Sequence, residues 1–387
     1  MQISDFIYDF PAALTATRPV EPRDHARLML LEGPAASPRH HRFFELGRFL
    51  RPGDCLVINQ TKVRRAKITA RKPAGGRIEL LLLAPYPAPS KLLRGPAVPQ
   101  WGPPIHPAVP LSACAAAQGG SSVWLALTDK GKPGLRLSCP GGVCATLLGK
   151  TASGEWICEF SHPDLNAYME RHGEIPLPPY ILKERKKTGG MTPAEADEKS
   201  YQTVYARAEG SIAAPTAGLH FTPELLDNLK NMGVAVAGIV LHVGWGTFRP
   251  VFCEAVEAHA MLEEYYRISP QAARAINRAK DAGGRVVAVG TTSVRTMESA
   301  AAASSGEARL AESGGEGWTN LFIYPGYRFK MTDALLTNFH QPKSTPLLLT
   351  SAFFRWRHGR DGLMDAYRCA IDNRYRLYSY GDAMLIL

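Results

Sequence analysis

The sequence predicts an α/β protein: a mainly parallel sheet covered by helices, interrupted by a small inserted β-barrel. Two textures carry that expectation. After Phe160 apolar strand-like runs alternate with amphipathic helical stretches, the pattern of a helix-covered sheet. Between about 66 and 160 the chain offers only short strand candidates, which suits a barrel or sandwich. The expected domains are therefore a discontinuous α/β domain, 1–65 with 161–387, and an insert at 66–160. At 387 residues the chain is long enough for two substantial cores.

The first segment holds Glu21-Pro-Arg-Asp-His-Ala-Arg27 beside the apolar run Leu28 to Leu31. Arg23 and Arg27 are candidate phosphate ligands, since a guanidinium suits bidentate contacts, although an exposed turn with an Arg-Asp pair is the blander account. Arg51-Pro-Gly-Asp is a turn, and Cys55 to Ile58 reads as the strand leaving it. In the insert, Lys67 to Arg71, the turn Ala74-Gly-Gly and Arg77 to Leu83 form a hairpin signal. Residues 84–119 are rich in Pro, Ala and Gly and predict an extended surface loop. Val123 to Leu127, Leu135 to Ser138 and Trp156 to Phe160 are further strands.

Leu165 to His172 is helical, and Gly173-Glu-Ile-Pro-Leu-Pro-Pro-Tyr180 a stiff connector. The charged stretch 183–200, with Gly189-Gly190, predicts a mobile loop. Thr222 can cap a helix with Pro223 in its first position and Gly233 at its end. Val234 to Val243 is a buried strand. Helices are expected over 270–282, from the 290–295 turn to about Ala303, over 346–354 and over 363–375. Strands are expected at Arg285 to Val289, Leu321 to Tyr324, Ala334 to Asn338 and Ala383 to Leu387.

Composition narrows the function class. The N-terminus lacks the basic and apolar regions of a signal peptide, and no apolar run approaches a membrane span, so a cytoplasmic protein is expected. Seven scattered cysteines without a Cys-x-x-Cys pair argue for reduced thiols, with neither disulfides nor zinc. A net charge of +10 permits a polyanionic partner such as RNA.

Four turns next to predicted strands carry the candidate chemistry and point to one shared crevice. They are Ser211 to Phe221 with Leu241 to Pro250, Gly290-Thr-Thr-Ser-Val-Arg295, Thr337 to Thr345, and Tyr378-Ser-Tyr-Gly-Asp382. The 290–295 turn opens a helix whose free N–H groups, three hydroxyls and Arg295 suit a carboxylate. Each turn taken alone also fits ordinary capping or a structural histidine.

These residues together resemble the S-adenosylmethionine:tRNA ribosyltransferase-isomerase family of queuosine biosynthesis, over almost the whole length. The resemblance rests on Pro22-Arg-Asp, Arg51-Pro-Gly-Asp, Ile175-Pro-Leu-Pro-Pro-Tyr, Tyr201-Gln-Thr-Val-Tyr, Ala213 to Phe221 and Leu241-His-Val-Gly. It continues in Gly246-Thr-Phe, Val289 to Arg295, Tyr324-Pro-Gly, Leu336-Thr-Asn-Phe-His and Ser379-Tyr-Gly-Asp-Ala-Met. The chain departs from the family pattern at Gln60, Trp245, Glu263, Gln341 and Pro346, and at Leu262, where a second histidine is usual.

The resemblance implies transfer and isomerisation of the ribosyl part of S-adenosylmethionine onto 7-aminomethyl-7-deazaguanine at the tRNA wobble position, releasing adenine and methionine. Such chemistry needs a base beside the sulfonium and a donor for the departing adenine, and histidine suits both near neutral pH. His220, His242 and His340 are the acid–base candidates, in no assigned order. Thr216, Gly244, Thr291, Thr292, Ser293, Arg295 and Asp382 are candidate co-substrate ligands; Arg23, Arg27, Lys62 and Lys343 are candidate tRNA contacts. No metal and no permanently bound cofactor are expected, nor a membrane, and the protein is expected to be a monomer. A methyltransferase would need a longer glycine loop than Gly244-Trp-Gly246, and a bare RNA-binding module an aromatic and basic ladder in the insert.

Overall fold

The structure is a computed structural model and describes residues 1–33, 38–86, 120–189, 194–248, 250–303, 308–359 and 361–387. The chain divides into two compact units, Met1–Val63 with Leu177–Leu387, and Arg64–Pro176. Beyond residue 86, the expected proline-rich loop lies outside the described residues.

The first unit is built on β1 (Arg27–Leu31), β2 (Arg39–Arg42), β3 (Cys55–Asn59) and β4 (Thr61–Val63). The second holds β5 (Lys67–Arg71), β6 (Arg77–Pro85), β7 (Ser122–Leu127), β8 (Leu135–Ser138), β9 (Cys144–Lys150) and β10 (Trp156–Phe160). The first unit resumes with β11 (Ala208–Ser211), β12 (Ala235–Leu241), β13 (Glu264–Ile268), β14 (Val286–Val289), β15 (Gly315–Thr319), β16 (Ala334–Asn338) and β17 (Ala383–Ile386).

A nine-stranded sheet runs in the order β15-β13-β12-β3-β14-β16-β17-β1-β2. Its centre, β12-β3-β14-β16, is parallel. The flanks are not: β17 runs antiparallel to β16 and parallel to β1, while β2, β13 and β15 join antiparallel. The sheet is therefore mixed, and the expected mainly parallel arrangement holds only at its core. Alternation along each central strand explains why both faces are covered. Cys55, Val57, Val286, Ala288, Met384 and Ile386 enter one core with the helices Pro270–Asp281, Thr291–Ala303, Thr345–His358 and Leu363–Asp372. Leu56, Ile58, Val287, Val289, Ala383 and Leu385 enter the other, with the Pro223–Asn231 helix and the Phe43–Phe49 turn of 3-10 helix. Strands buried on both faces read as continuous apolar runs, which is why they were legible.

Local capping follows the sequence. The Thr222 hydroxyl accepts the Leu225 N–H at 3.2 Å, and Ser269 accepts the Ala272 N–H at 3.2 Å. Ser344 begins the Thr345–His358 helix in the same way. Two expectations fail. The charged stretch 183–200 is not a loop throughout: it holds most of a helix, Pro179–Thr188, and another, Ala194–Ser200. The first is anchored by Arg185, whose guanidinium meets Asp197 at 2.7 and 2.8 Å in a buried pair. The run Leu321 to Tyr324 is no strand either; Ile323 is buried because it packs into the core. The strand nearby is β15, Gly-Glu-Gly-Trp-Thr, with almost no apolar signal of its own.

In the other unit the six strands close into a barrel, ordered β10-β7-β6-β5-β8-β9. Ile68, Leu80, Leu82, Trp124, Leu137, Leu147 and Phe160 fill it, and the Leu165–His172 helix adds Leu165, Tyr168 and Met169 to the same core. Among the described residues no helix is long and apolar enough to cross a membrane.

Candidate active site

A cleft opens where the parallel strands β12, β14 and β16 end at their carboxyl termini, the usual ligand position in an open α/β sheet. It is lined by the segments 213–217, 290–292 and 337–341, by Val243 and Thr247, by Ser344 and Pro346, and by Tyr180, Tyr201, Tyr378 and Ser379. Its empty space, counted out into the open mouth, is about 710 Å³. The four candidate turns thus meet in one place. Among the described residues no Asp, Glu, Lys or Arg lines the cleft; its polarity comes from hydroxyls, amides and one imidazole.

Gly290 shows why the backbone can turn there. Its φ of +83° lies in the left-handed region, where a side chain is strained. The Thr291–Ala303 helix starts straight from it, so Thr291 and Thr292 face the cleft. Asn59, buried at the end of β3, holds this corner. Its amide donates to the Leu241 carbonyl at 3.0 Å and to the Thr292 hydroxyl at 3.2 Å. Its oxygen accepts the N–H groups of Leu241 and Thr61, both at 3.1 Å.

Of the three histidines, only His340 lines the cleft. Its Nε2 lies 2.8 Å from the Thr337 hydroxyl, its N–H donates to the Tyr367 hydroxyl at 2.9 Å, and its carbonyl accepts from Tyr8. Burial holds its imidazole down at about 3, so it is neutral near pH 7. His220 sits behind the wall, buried against Phe43, and its Nε2 accepts from the Asn338 amide at 3.2 Å. Burial, reinforced by Arg376 and Arg23, holds it at about 3 as well. Asn338 is the residue that reaches the cleft, and the Thr216 hydroxyl donates to its oxygen at 2.9 Å. His242 belongs to a network beneath the 243 turn: its Nδ1 is 2.9 Å from the Thr61 hydroxyl, which donates to Ser211 at 2.9 Å. Ser211 accepts the Val243 N–H at 2.7 Å, and the His242 ring stacks on Tyr265.

Several candidate ligands are engaged by neighbouring groups and do not line the cleft. Arg295 turns away from the cleft: its guanidinium pairs with buried Glu264 and donates to the carbonyls of Leu321 and Thr319, at 3.0 and 3.2 Å. Glu264 also accepts the Gly244 N–H at 2.7 Å, so Gly244 is tied to the same pair and does not line the cleft. The Ser293 hydroxyl donates to the Val289 carbonyl one turn back, at 2.8 Å. Asp382 is buried and accepts the N–H groups of Arg27 and Arg376 at 2.9 and 2.8 Å, joining β1 to the turn before β17. For Arg295, Ser293 and Asp382 a buried charge or hydroxyl is satisfied by Glu264 or by backbone groups, which spacing in the sequence cannot show.

The basic candidates differ too. Arg23 donates to the carbonyls of Gln202 and Lys199, at 2.7 and 2.6 Å. Arg27 donates to Asn373 and lies over the Tyr375 ring at 3.7 Å. Lys62 pairs with Glu209 at 2.5 Å. Lys343, next to the cleft-lining Gln341 and Ser344, has no side-chain partner among the described residues and keeps a positive φ of 56°.

The family described as queuosine biosynthesis protein matches residues 3–386. The chain belongs to the queuosine biosynthesis protein family. Proteins named S-adenosylmethionine:tRNA ribosyltransferase-isomerase from Moorella thermoacetica and Symbiobacterium thermophilum are each 45% identical, over 100% of this chain and 100% of theirs. The crystal structure of S-adenosylmethionine tRNA ribosyltransferase from Thermotoga maritima is similar at 32% identity and a TM-score of 0.50, covering 99% of this chain and 100% of that one. Against the family pattern, the departures Gln341 and Pro346 line the cleft, whereas Leu262 is 36% exposed and lies beside Gly246. Gln60 lies across Gly238, whose absent Cβ would come within 2.2 Å of its amide carbon. Of the cleft residues not named individually from the sequence, Thr337, Asn338 and Ser379 lie in the candidate turns, while Tyr180 and Tyr201 were signalled only by the family motifs that contain them.

Proposed function

We propose that this member of the queuosine biosynthesis family is an S-adenosylmethionine:tRNA ribosyltransferase-isomerase whose cleft at the ends of β12, β14 and β16 binds S-adenosylmethionine. It moves the ribosyl part of that co-substrate onto 7-aminomethyl-7-deazaguanine at the tRNA wobble position, isomerises it to the epoxy-cyclopentane, and releases adenine and methionine. The observation that carries the reading is the convergence of separate family motifs on one uncharged, hydroxyl-rich cleft. Such a lining suits a zwitterion that brings its own sulfonium cation, since a fixed positive charge there would repel it.

Thr216, Thr291 and Thr292 offer hydroxyls to the ribose and the amino-acid end of the co-substrate. His340, neutral and inside the cleft, serves as the base or hydrogen-bond acceptor: burial keeps it free of a proton near pH 7, at the cost of making it a weaker base than a solvated imidazole. His220 acts as a positioning residue through Asn338, and His242 through Thr61 and the Val243 turn. Lys343 is placed to meet a tRNA phosphate at the cleft's edge. No permanently bound cofactor is invoked, and the enzyme is read as a cytoplasmic monomer.

The purified protein, given S-adenosylmethionine and an anticodon stem-loop carrying the deazaguanine, is expected to release free adenine and methionine. Formation of S-adenosylhomocysteine in place of adenine would mark a methyltransferase and overturn the reading.

A further inference from the structure

The segment Tyr201–Tyr205 runs in an alternating manner, with Tyr201, Thr203 and Tyr205 buried and Val204 exposed. Thr203 and Tyr205 lie against the 213–218 turn: a Cβ on Gly218 would come within 2.0 Å of the Tyr205 hydroxyl and 2.9 Å of Thr203. All three hydroxyls are closed off from solvent and none makes a well-formed hydrogen bond among the described residues, the Tyr201 hydroxyl lying only loosely against the Ser379 side chain and the Ala214 backbone. An orphaned buried hydroxyl costs about 1–3 kcal/mol, so three in five residues is a concentration that calls for a reason.

Only one of the three, Tyr201, lines the cleft. Other buried hydroxyls of the cleft wall are already engaged: Thr337 with His340, Ser344 with the Gln341 carbonyl, Ser379 with Tyr180. Burial pushes the Tyr201 phenol well above its usual value, so it keeps its proton and can only donate or accept a hydrogen bond. The reaction needs such a donor. When adenine departs, the C–N bond breaks and its electron pair moves onto the purine, yet among the described residues no charged side chain lines the cleft to meet that charge.

We propose that the Tyr201 hydroxyl is a substrate-contacting residue, donating a hydrogen bond to a purine ring nitrogen of S-adenosylmethionine that strengthens as the C–N bond breaks. Tyr201 forms no covalent bond and gives up no proton. A preorganised donor in a water-excluded site stabilises developing negative charge far more than the same donor does in water. The inference rests on the cleft being the co-substrate site.

The test is Tyr201→Phe, which removes the oxygen and leaves the ring packed against Tyr380. Because the hydroxyl makes no well-formed hydrogen bond in the free protein, the melting temperature is expected to change little. Single-turnover adenine release is expected to fall about 100-fold, the usual loss for one such donor. The loss should shrink with a co-substrate analogue whose purine departs more readily. A variant with wild-type release would overturn the proposal, as would a destabilised variant equally slow with both purines. Asn338→Ala and Thr292→Val in parallel separate the two readings. If they abolish co-substrate binding while Tyr201→Phe changes nothing, the site stands and the role of Tyr201 fails. If neither affects binding, the site itself is wrong.

Discussion

At the scale of single residues, burial decides which groups face the substrate and which hold the frame. Arg295 is the clearest case, because its guanidinium is spent on Glu264 and two carbonyls. Removing one partner of a buried pair strands the other charge, at a cost of about 3–5 kcal/mol. Arg295→Ala should therefore unfold at a clearly lower temperature, while S-adenosylmethionine affinity measured below the transition stays within a few-fold of wild type. Unchanged stability with lost affinity would return Arg295 to the binding site. His220 makes a pH prediction. Its imidazole is held at about 3 in the fold, against roughly 6.5 in the unfolded chain, so between these values the unfolded state binds more protons. Its penalty is absent above pH 6.5 and grows as pH falls towards 3, reaching about 2 kcal/mol at pH 5. Denaturant unfolding of wild type and His220→Gln at pH 7 and pH 5 should show a smaller acid loss in the variant; equal losses would refute it.

At the scale of elements, the helix Thr291–Ala303 does two jobs. Its first turn faces the cleft, and further along it carries Glu298, fully buried. That carboxylate accepts the N–H groups of Lys330, Met331 and Thr332 at 2.9, 3.1 and 3.2 Å, and the hydroxyls of Thr332 and Tyr327 at 3.0 and 3.3 Å. It thereby fastens the 327–332 loop that leads into β16, whose end supplies Thr337 and Asn338 to the cleft. Glu298→Gln brings two amide hydrogens against donors that need acceptors. It is expected to lose about 2–3 kcal/mol of stability, the scale of a hydrogen bond to a charged group plus its unmet partner. Chemical denaturation measures this, and a neutral effect would show that the loop is held by its packing alone.

At the scale of the whole molecule, the charge balance bears on the large substrate. The net charge of +10 should make tRNA binding electrostatic and release counterions. Raising salt from 50 to 200 mM is expected to weaken tRNA binding about tenfold or more, with little effect on S-adenosylmethionine. A tRNA affinity indifferent to ionic strength would disprove the electrostatic reading. Within the chain, the barrel strand β9 and the sheet strand β13 were not legible beforehand. The inward positions of β9 include Ala145 and Gly149, and β13 buries Glu264 on its inner side, so neither shows clean apolar alternation.

The sequence by itself determined the strands buried on both faces, the helix starts at Thr222 and Ser269, the family, and the set of turns that meet at the cleft. These are local or near-local matters: apolar runs, capping hydroxyls and ordered motifs are written in consecutive residues. Only the tertiary structure decided which members of each turn look inward. His340 and Thr292 reach the cleft, whereas His220, His242, Arg295 and Asp382 are taken up by partners far away in the chain. The direction of the flanking strands was settled in the same way, by pairings between distant segments. A buried polar group must find its partner wherever the fold supplies one, and that partner is invisible until the chain has closed on itself.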